Sequence, residues 1–203
     1  MSEIKSPSRP MRRGRSRELG VAAVELALVS LVFFTVVFGA IELARLMYLC
    51  NTLQEVTRRA ASAAANTDFT NATAMQGIRQ AAIFQDSAGT LALSQHVTDQ
   101  SIRIDYMTIQ NAGGTLTTVP IPTGSLPSSP TENRRTCLID PSAPSCIRIV
   151  RVRVCASAIA DNCVAVRFQS IVPLINLSVS LPLATTLVRA ESLGFVPPTP
   201  PGS

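Results

Sequence analysis

Residues 21–41 read VAAVELALVSLVFFTVVFGAI, and from Leu26 to Ile41 they carry no charge. As a helix, these 21 residues rise about 31 Å, the thickness of a hydrocarbon core of about 30 Å. Thirteen of them are Val, Leu, Ile or Phe, which at roughly −0.3 to −0.6 kcal/mol apiece favour insertion by about 4 to 8 kcal/mol. The single acid, Glu25, costs at most about 3 kcal/mol at mid-membrane, and less within a turn of the segment's end. Insertion wins, and one membrane span is expected.

The flanks give that span a direction. Residues 1–20 hold six basic and two acidic residues, so they carry +4 of the net +5, and the remainder of the chain is nearly neutral. Only Arg45 is basic close to the far end, so the positive-inside rule puts the N-terminus in the cytoplasm and the rest outside. The basic arm has no aromatic residue for base stacking and no zinc or helix-turn-helix pattern beside it, so no nucleic-acid partner is expected. The apolar run exceeds the 7 to 15 residues, roughly, of a secretory signal, and the small-residue cluster Ala60 to Ala65 comes too late for signal-peptidase cleavage.

Composition sets outer limits. The 203 residues are 46% apolar and 15% charged, against roughly 25% charged in an average soluble domain. Ten Gly and 14 Pro without a period exclude a collagenous chain, and the apolar share suffices for one core.

An acid inside a spanning segment either snorkels to the nearby interface or asks for a partner. A cut after Gly20 would create an α-amine on Val21, four residues before Glu25 and on the same helical face. The run Arg17-Glu18-Leu19-Gly20, then Val21-Ala22-Ala23-Val24-Glu25, then an apolar helix, resembles the prepilin-peptidase site of type IV pilin-like proteins. The next stretch, Gly39 to Ala61 with Glu42, Arg45, Tyr48, Asn51, Glu55, Arg58 and Arg59, is similar to the TadE-like pseudopilins of tight adherence (Tad, or Flp) pili. The strand-like run from Ala184 to Glu191, ending Arg-x-Glu, fits the same resemblance.

That resemblance implies a minor pilin-like subunit processed at Gly20, Val21 and Glu25, with Glu42, Arg45, Tyr48 and Glu55 on a helix interface. Its implied setting is the bacterial inner membrane. Its implied partners are the prepilin peptidase, a second pseudopilin, the Flp major pilin, and the assembly platform with its ATPase complex. Adhesion and biofilm formation would follow downstream. The alternative reading is an uncleaved single-pass envelope protein whose periplasmic domain binds a ligand or scaffolds a secretion complex.

The helix is expected to continue past the membrane. No Gly or Pro interrupts residues 40–65, and Glu42 can pair with Arg45, and Glu55 with Arg58 or Arg59, at three- and four-residue spacing. Ile41, Met47 or Tyr48, Leu49, Leu53, Val56 and the alanines make an apolar stripe. The expected class is α+β: a basic leader over 1–20, a long pilin-like helix over 21–65, a linker and short helix over 66–100, an antiparallel β domain over 101–192, and a Pro-rich flexible tail over 193–203.

Within the head, Ala72 to Gln85 reads as the second helix, with Met75, Ile78, Ala82 and Phe84 on one side. Period-two alternation marks strands at Ile102 to Tyr106 and at Leu177 to Leu183, the latter ended by Pro182. In Ile147 to Val154 the apolar parity changes, and a bulge at Ile149 and Val150 would restore one buried face. Arg148, Arg151 and Arg153 then sit together on the outer side, and read as a solvated face ahead of an anion or partner site. Residues 148–168 read as a hairpin turning at Asp161 and Asn162, and residues 113–144 as a long excursion from the sheet.

Cys137 and Cys146 bracket one short loop, and Cys155 and Cys163 another; neither spacing matches a zinc pattern. Sequential disulfides are the simplest of the three pairings that four cysteines allow. Cys50 stands apart as a buried small residue. His96 is the only histidine, no phosphate-binding loop is present, and Asp99 and Asp105 read as surface acids. No catalysis, metal, cofactor or small-molecule substrate is expected.

Overall fold

The computed structural model describes residues 15–156, 162–172 and 177–197. Most of the basic leader, the expected turn residue Asp161 and the end of the Pro-rich tail lie outside them. The apolar run lies within α1, Arg15–Asn66, which at 52 residues is about 78 Å long. Along 21–48 it bares almost every large apolar side chain, whereas Leu49, Leu53, Val56, Ala60 and Ala64 are fully buried. Those five recur every three or four residues and draw one stripe up the helix. The stripe thus begins at Leu49, not at Ile41: Ile41, Met47 and Tyr48 are exposed, because the head covers only one side of the helix and only its upper half.

The head is built on that stripe. Its main sheet has the order β2-β1-β3-β6 and is antiparallel throughout. The strands are β1 (Ile102–Ala112), β2 (Thr115–Pro120), β3 (Ile149–Val154) and, at the edge, β6 (Thr185–Arg189). On β3, Val150, Val152 and Val154 face the helix, and α1 packs across β3 and β6. The alanines at 60, 61, 64 and 65 let backbone approach backbone closely. Thr57 and Thr186 share a 2.8 Å hydroxyl hydrogen bond in this contact. A second, smaller sheet pairs β4 (Arg167–Gln169) with β5 (Ser178–Ser180). The class is α+β, as expected from sequence.

Several local expectations change. Residues 113–144 are not one excursion: Gly113 and Gly114, at φ +62° and +88°, make a two-residue turn that folds β2 back onto β1. Ser129 then caps α3, Pro130–Ile139, by accepting a hydrogen bond from Glu132 N–H. The expected 148–168 hairpin does not form. β3 is already flanked by β1 and β6, so β4 finds β5 instead, although the Ala156 N–H still bonds the Val164 carbonyl. The bulge exists one residue earlier: Ile149 faces Met107, and the Arg148 N–H also donates to the Met107 carbonyl. The Leu177 to Leu183 strand shrinks to Ser178–Ser180, with Leu183 exposed beyond Pro182.

The second helix, α2 (Ala72–Ala82), buries Met75, Ile78 and Ala82, with Asn71 as its N-cap. Phe84 leaves this face: it sits past the helix end at φ +63°, and its ring lies 4.4 Å from the Arg59 guanidinium. The expected tail from 193 is packed at its start. Leu193 is buried, and the N–H groups of Glu191 and Leu193 both bond the Ala65 carbonyl, satisfying the C-terminus of α1.

Candidate functional site: the apolar helix and its joint with the head

The lower half of α1 is built to lie in an apolar medium. Phe33, Phe34 and Phe38 form a ladder with ring centroids 5.4 and 5.9 Å apart. The polar Thr35 returns its hydroxyl to the Leu31 carbonyl at 2.7 Å, leaving no unsatisfied donor. Gly20, Val21 and Glu25 lie on this helix and are exposed. Glu25 has no hydrogen-bond or ion-pair partner among the described residues. The helix runs unbroken through the Gly20–Val21 bond.

The joint begins where the uncharged run ends. Glu42, 2% exposed, accepts 2.8 Å from the Arg45 guanidinium through one oxygen. Its other oxygen accepts from the backbone N–H groups of Ile171 (2.7 Å) and Val172 (3.1 Å). Arg45 also donates to the carbonyls of Leu93 and Gln169, each at 2.9 Å, and stacks 4.6 Å from the Phe168 ring centroid. Two side chains, one helical turn apart, thus bind two separate loops of the head to the helix. Tyr48, 45% exposed, takes no part in these bonds. Glu55 pairs with both Arg58 and Arg59 at 2.9 Å on an exposed face.

Two acids expected on the surface are hubs inside the head. Asp105 accepts from Arg103, Arg151 and Arg153 at 2.6 to 3.1 Å, so the anticipated solvated arginine face is largely gathered around one carboxylate. Burial pushes the Asp105 carboxyl up, but the arginine hydrogen bonds outweigh it and hold it below the ordinary range. Arg148 is separate and donates to the Pro141 carbonyl. Asp99, 3% exposed, accepts from Gln76 and Gln100 side chains at 2.6 and 3.2 Å. The signal for the Asp105 hub was present: Arg103 and Asp105 alternate on one predicted strand, and Arg151 and Arg153 alternate on another. Only the register Arg103↔Arg153 and Asp105↔Arg151 brings them together.

Cys137 with Cys146, and Cys155 with Cys163, form disulfides at Cα separations of 5.1 and 5.0 Å. Cys50 is free and half-buried. Among the described residues no group of three His, Cys, Asp or Glu side chains is arranged to hold a metal. His96 makes a 2.9 Å hydrogen bond to Gln169.

The chain is therefore a membrane-anchored protein in which one long helix carries a small disulfide-bonded head. Its helix is similar to one family: that described as TadE-like protein matches residues 20–62, about a fifth of the chain, which cover the apolar run, the Glu42–Arg45 joint and Glu55. That family is a structural one associated with the tight adherence pilus. No curated protein and no solved structure matches the chain.

Proposed function

We propose that this chain is a minor pilin-like subunit of the tight adherence pilus, cut after Gly20 by the inner-membrane prepilin peptidase with its head in the periplasm. The carrying observation is one exposed carboxylate, Glu25, without a partner among the described residues, in an apolar stretch of a helix that continues into the head. After the cut, the Val21 amine would lie one turn below Glu25 on the same face. In a bundle of such helices the acid neutralises that amine, or one on a neighbouring subunit. Misregistered subunits leave both charges unpaired in an apolar interior, so pairing rewards correct axial position. Of the expected helix interface, Glu42 and Arg45 are taken up by the head of their own chain, so Tyr48 and Glu55 would be the members left to meet a neighbouring helix. The partners would be a second pseudopilin, the major Flp pilin, and the platform with its ATPase. The alternative, an uncleaved single-pass envelope protein, draws on the unbroken helix through Gly20–Val21, which must open locally before a peptidase can act. Intact-mass measurement of the chain from cells that contain the peptidase separates them: a chain starting at Val21 supports the proposal, and a retained arginine-rich arm supports the alternative.

A further inference from the structure

The joint fixes more than the angle of the head; it fixes its height. Val21 to Ile41 spans about 31 Å, so Glu42 and Arg45 stand at the edge of the hydrocarbon layer. Side chains on a helix tilt toward its N-terminus, which aims the Glu42 carboxylate back toward the membrane. The loop residues bonded to that carboxylate, Ile171 and Val172, are therefore level with the last apolar turn. The loop bonded through Leu93 to Arg45 sits beside them.

Both loops offer apolar side chains at that level. Ile171 is 57% exposed and Leu93 56% exposed. Leu93 also adopts φ +61°, a left-handed conformation that Gly or Asn would adopt with less strain. An exposed leucine held in this conformation is a local cost that contact with an apolar medium would offset. Ile171 shares a recess of about 190 Å³ with Arg45, His96 and Arg167, which sets cationic and polar groups next to the apolar rim. On the free side of α1, Tyr48 stands six residues, about 9 Å, above Glu42, at the depth where aromatic residues favour the headgroup region.

We infer that the head rests on the bilayer that holds its helix, with Leu93 and Ile171 immersed at the acyl–headgroup boundary and Arg167 among the lipid phosphates. The occupant is lipid rather than a second chain, because the rim is continuous with the membrane-spanning face of α1 and lies at its boundary. This rests on the membrane anchor alone and not on a role in pili. Its consequence is mechanical: extracting the subunit must lift two apolar loops out of the lipid along with the helix.

The chain has no tryptophan, so single reporters are unambiguous. The full chain would be reconstituted in phosphatidylethanolamine–phosphatidylglycerol vesicles as Leu93→Trp, Ile171→Trp, Val32→Trp and Leu187→Trp variants. Leu187 is exposed next to Thr186, which bonds Thr57 about 22 Å further up the helix than Glu42. The expected result at positions 93 and 171 is a blue-shifted emission quenched by lipids brominated near the headgroup, with position 187 emitting as in water and unquenched. Water-like emission at 93 and 171 overturns the inference. So does a blue shift that brominated lipid fails to quench, which would mean that protein covers the rim. If Val32→Trp is not quenched by deeply brominated chains, the anchor itself is wrong and the inference falls with it. None of these outcomes bears on pilus assembly, which the vesicles lack.

Discussion

The Arg45 guanidinium bonds the Glu42 carboxylate at 2.8 Å, with the two side chains only 10% and 2% exposed. A pair so enclosed gains little over an apolar contact of the same shape, yet breaking it is costly because the survivor is stranded. Here each partner also holds a loop of the head through backbone groups, so the pair acts as a bracket between helix and head.

Glu42→Ala is expected to destabilise the head by about 3 to 5 kcal/mol, because it strands Arg45 and frees the N–H groups of Ile171 and Val172. Glu42→Gln keeps an acceptor for those N–H groups and should lose less. Thermal unfolding in detergent, followed by circular dichroism, would rank the two. Equal stability of all three proteins would dissolve the bracket.

Asp105 ties the sheet to pH. Its folded carboxyl lies below its ordinary value, so its stabilisation is complete above about pH 4. It fades as pH falls through the lower folded value. Asp105→Asn should cost about 1 to 3 kcal/mol at neutral pH by leaving arginine donors poorly satisfied. The gap in midpoint between this variant and the parent should narrow steadily below pH 4, and a constant gap would contradict the sign.

Gly194 and Gly113 separate steric from conformational need. At Gly194, φ +79°, an added Cβ would lie 2.5 Å from the Asp68 backbone nitrogen, which has nowhere to retreat. Gly194→Ala should therefore loosen the cap on α1 and cost more than the roughly 1 to 2 kcal/mol expected for a left-handed L-residue alone. Gly113→Ala, with nothing within 4 Å of the added Cβ, should cost only that conformational penalty. Paired denaturation curves would show the difference.

Reducing either disulfide should destabilise the head by about 2.7 kcal/mol, the chain-entropy value for a loop of about ten residues. Alkylation of the denatured, unreduced chain should label one thiol, Cys50, and alkylation after reduction should label all five cysteines. More than one label before reduction would disprove the pairing.

Glu25→Ala should leave insertion intact or slightly improved, since it removes a charge from the apolar segment. Incorporation into filaments should fall, and a lost coupling of about 1.4 kcal/mol would already make the drop tenfold. Normal incorporation would remove the basis for charge pairing at the helix N-terminus.

The membrane helix, its length and its carboxylate were legible from sequence alone because they depend on local properties. Hydrophobicity integrates along 21 contiguous residues, and helical spacing needs no knowledge of neighbours. The same holds for the strand at Ile102 to Tyr106, the capped second helix and the pairs from Glu55 to Arg58 and Arg59. The Gly113–Gly114 turn is equally local, but the run rich in Gly, Ser, Thr and Pro that follows it suggests one long excursion and masks the β2 hairpin.

What stayed hidden depends on partners distant in the chain. Whether β4 pairs with β3 or β5 turns on which edges β1 and β6 already occupy. That Asp105 collects three arginines needs the β1–β3 register. That Glu42 faces Ile171 joins residues 129 positions apart. Alternation and charge spacing say which residues share a face, but only the closed fold says what that face meets. The long helix is therefore a property of the chain, while the bracket at its boundary and the height of the head belong to the tertiary structure.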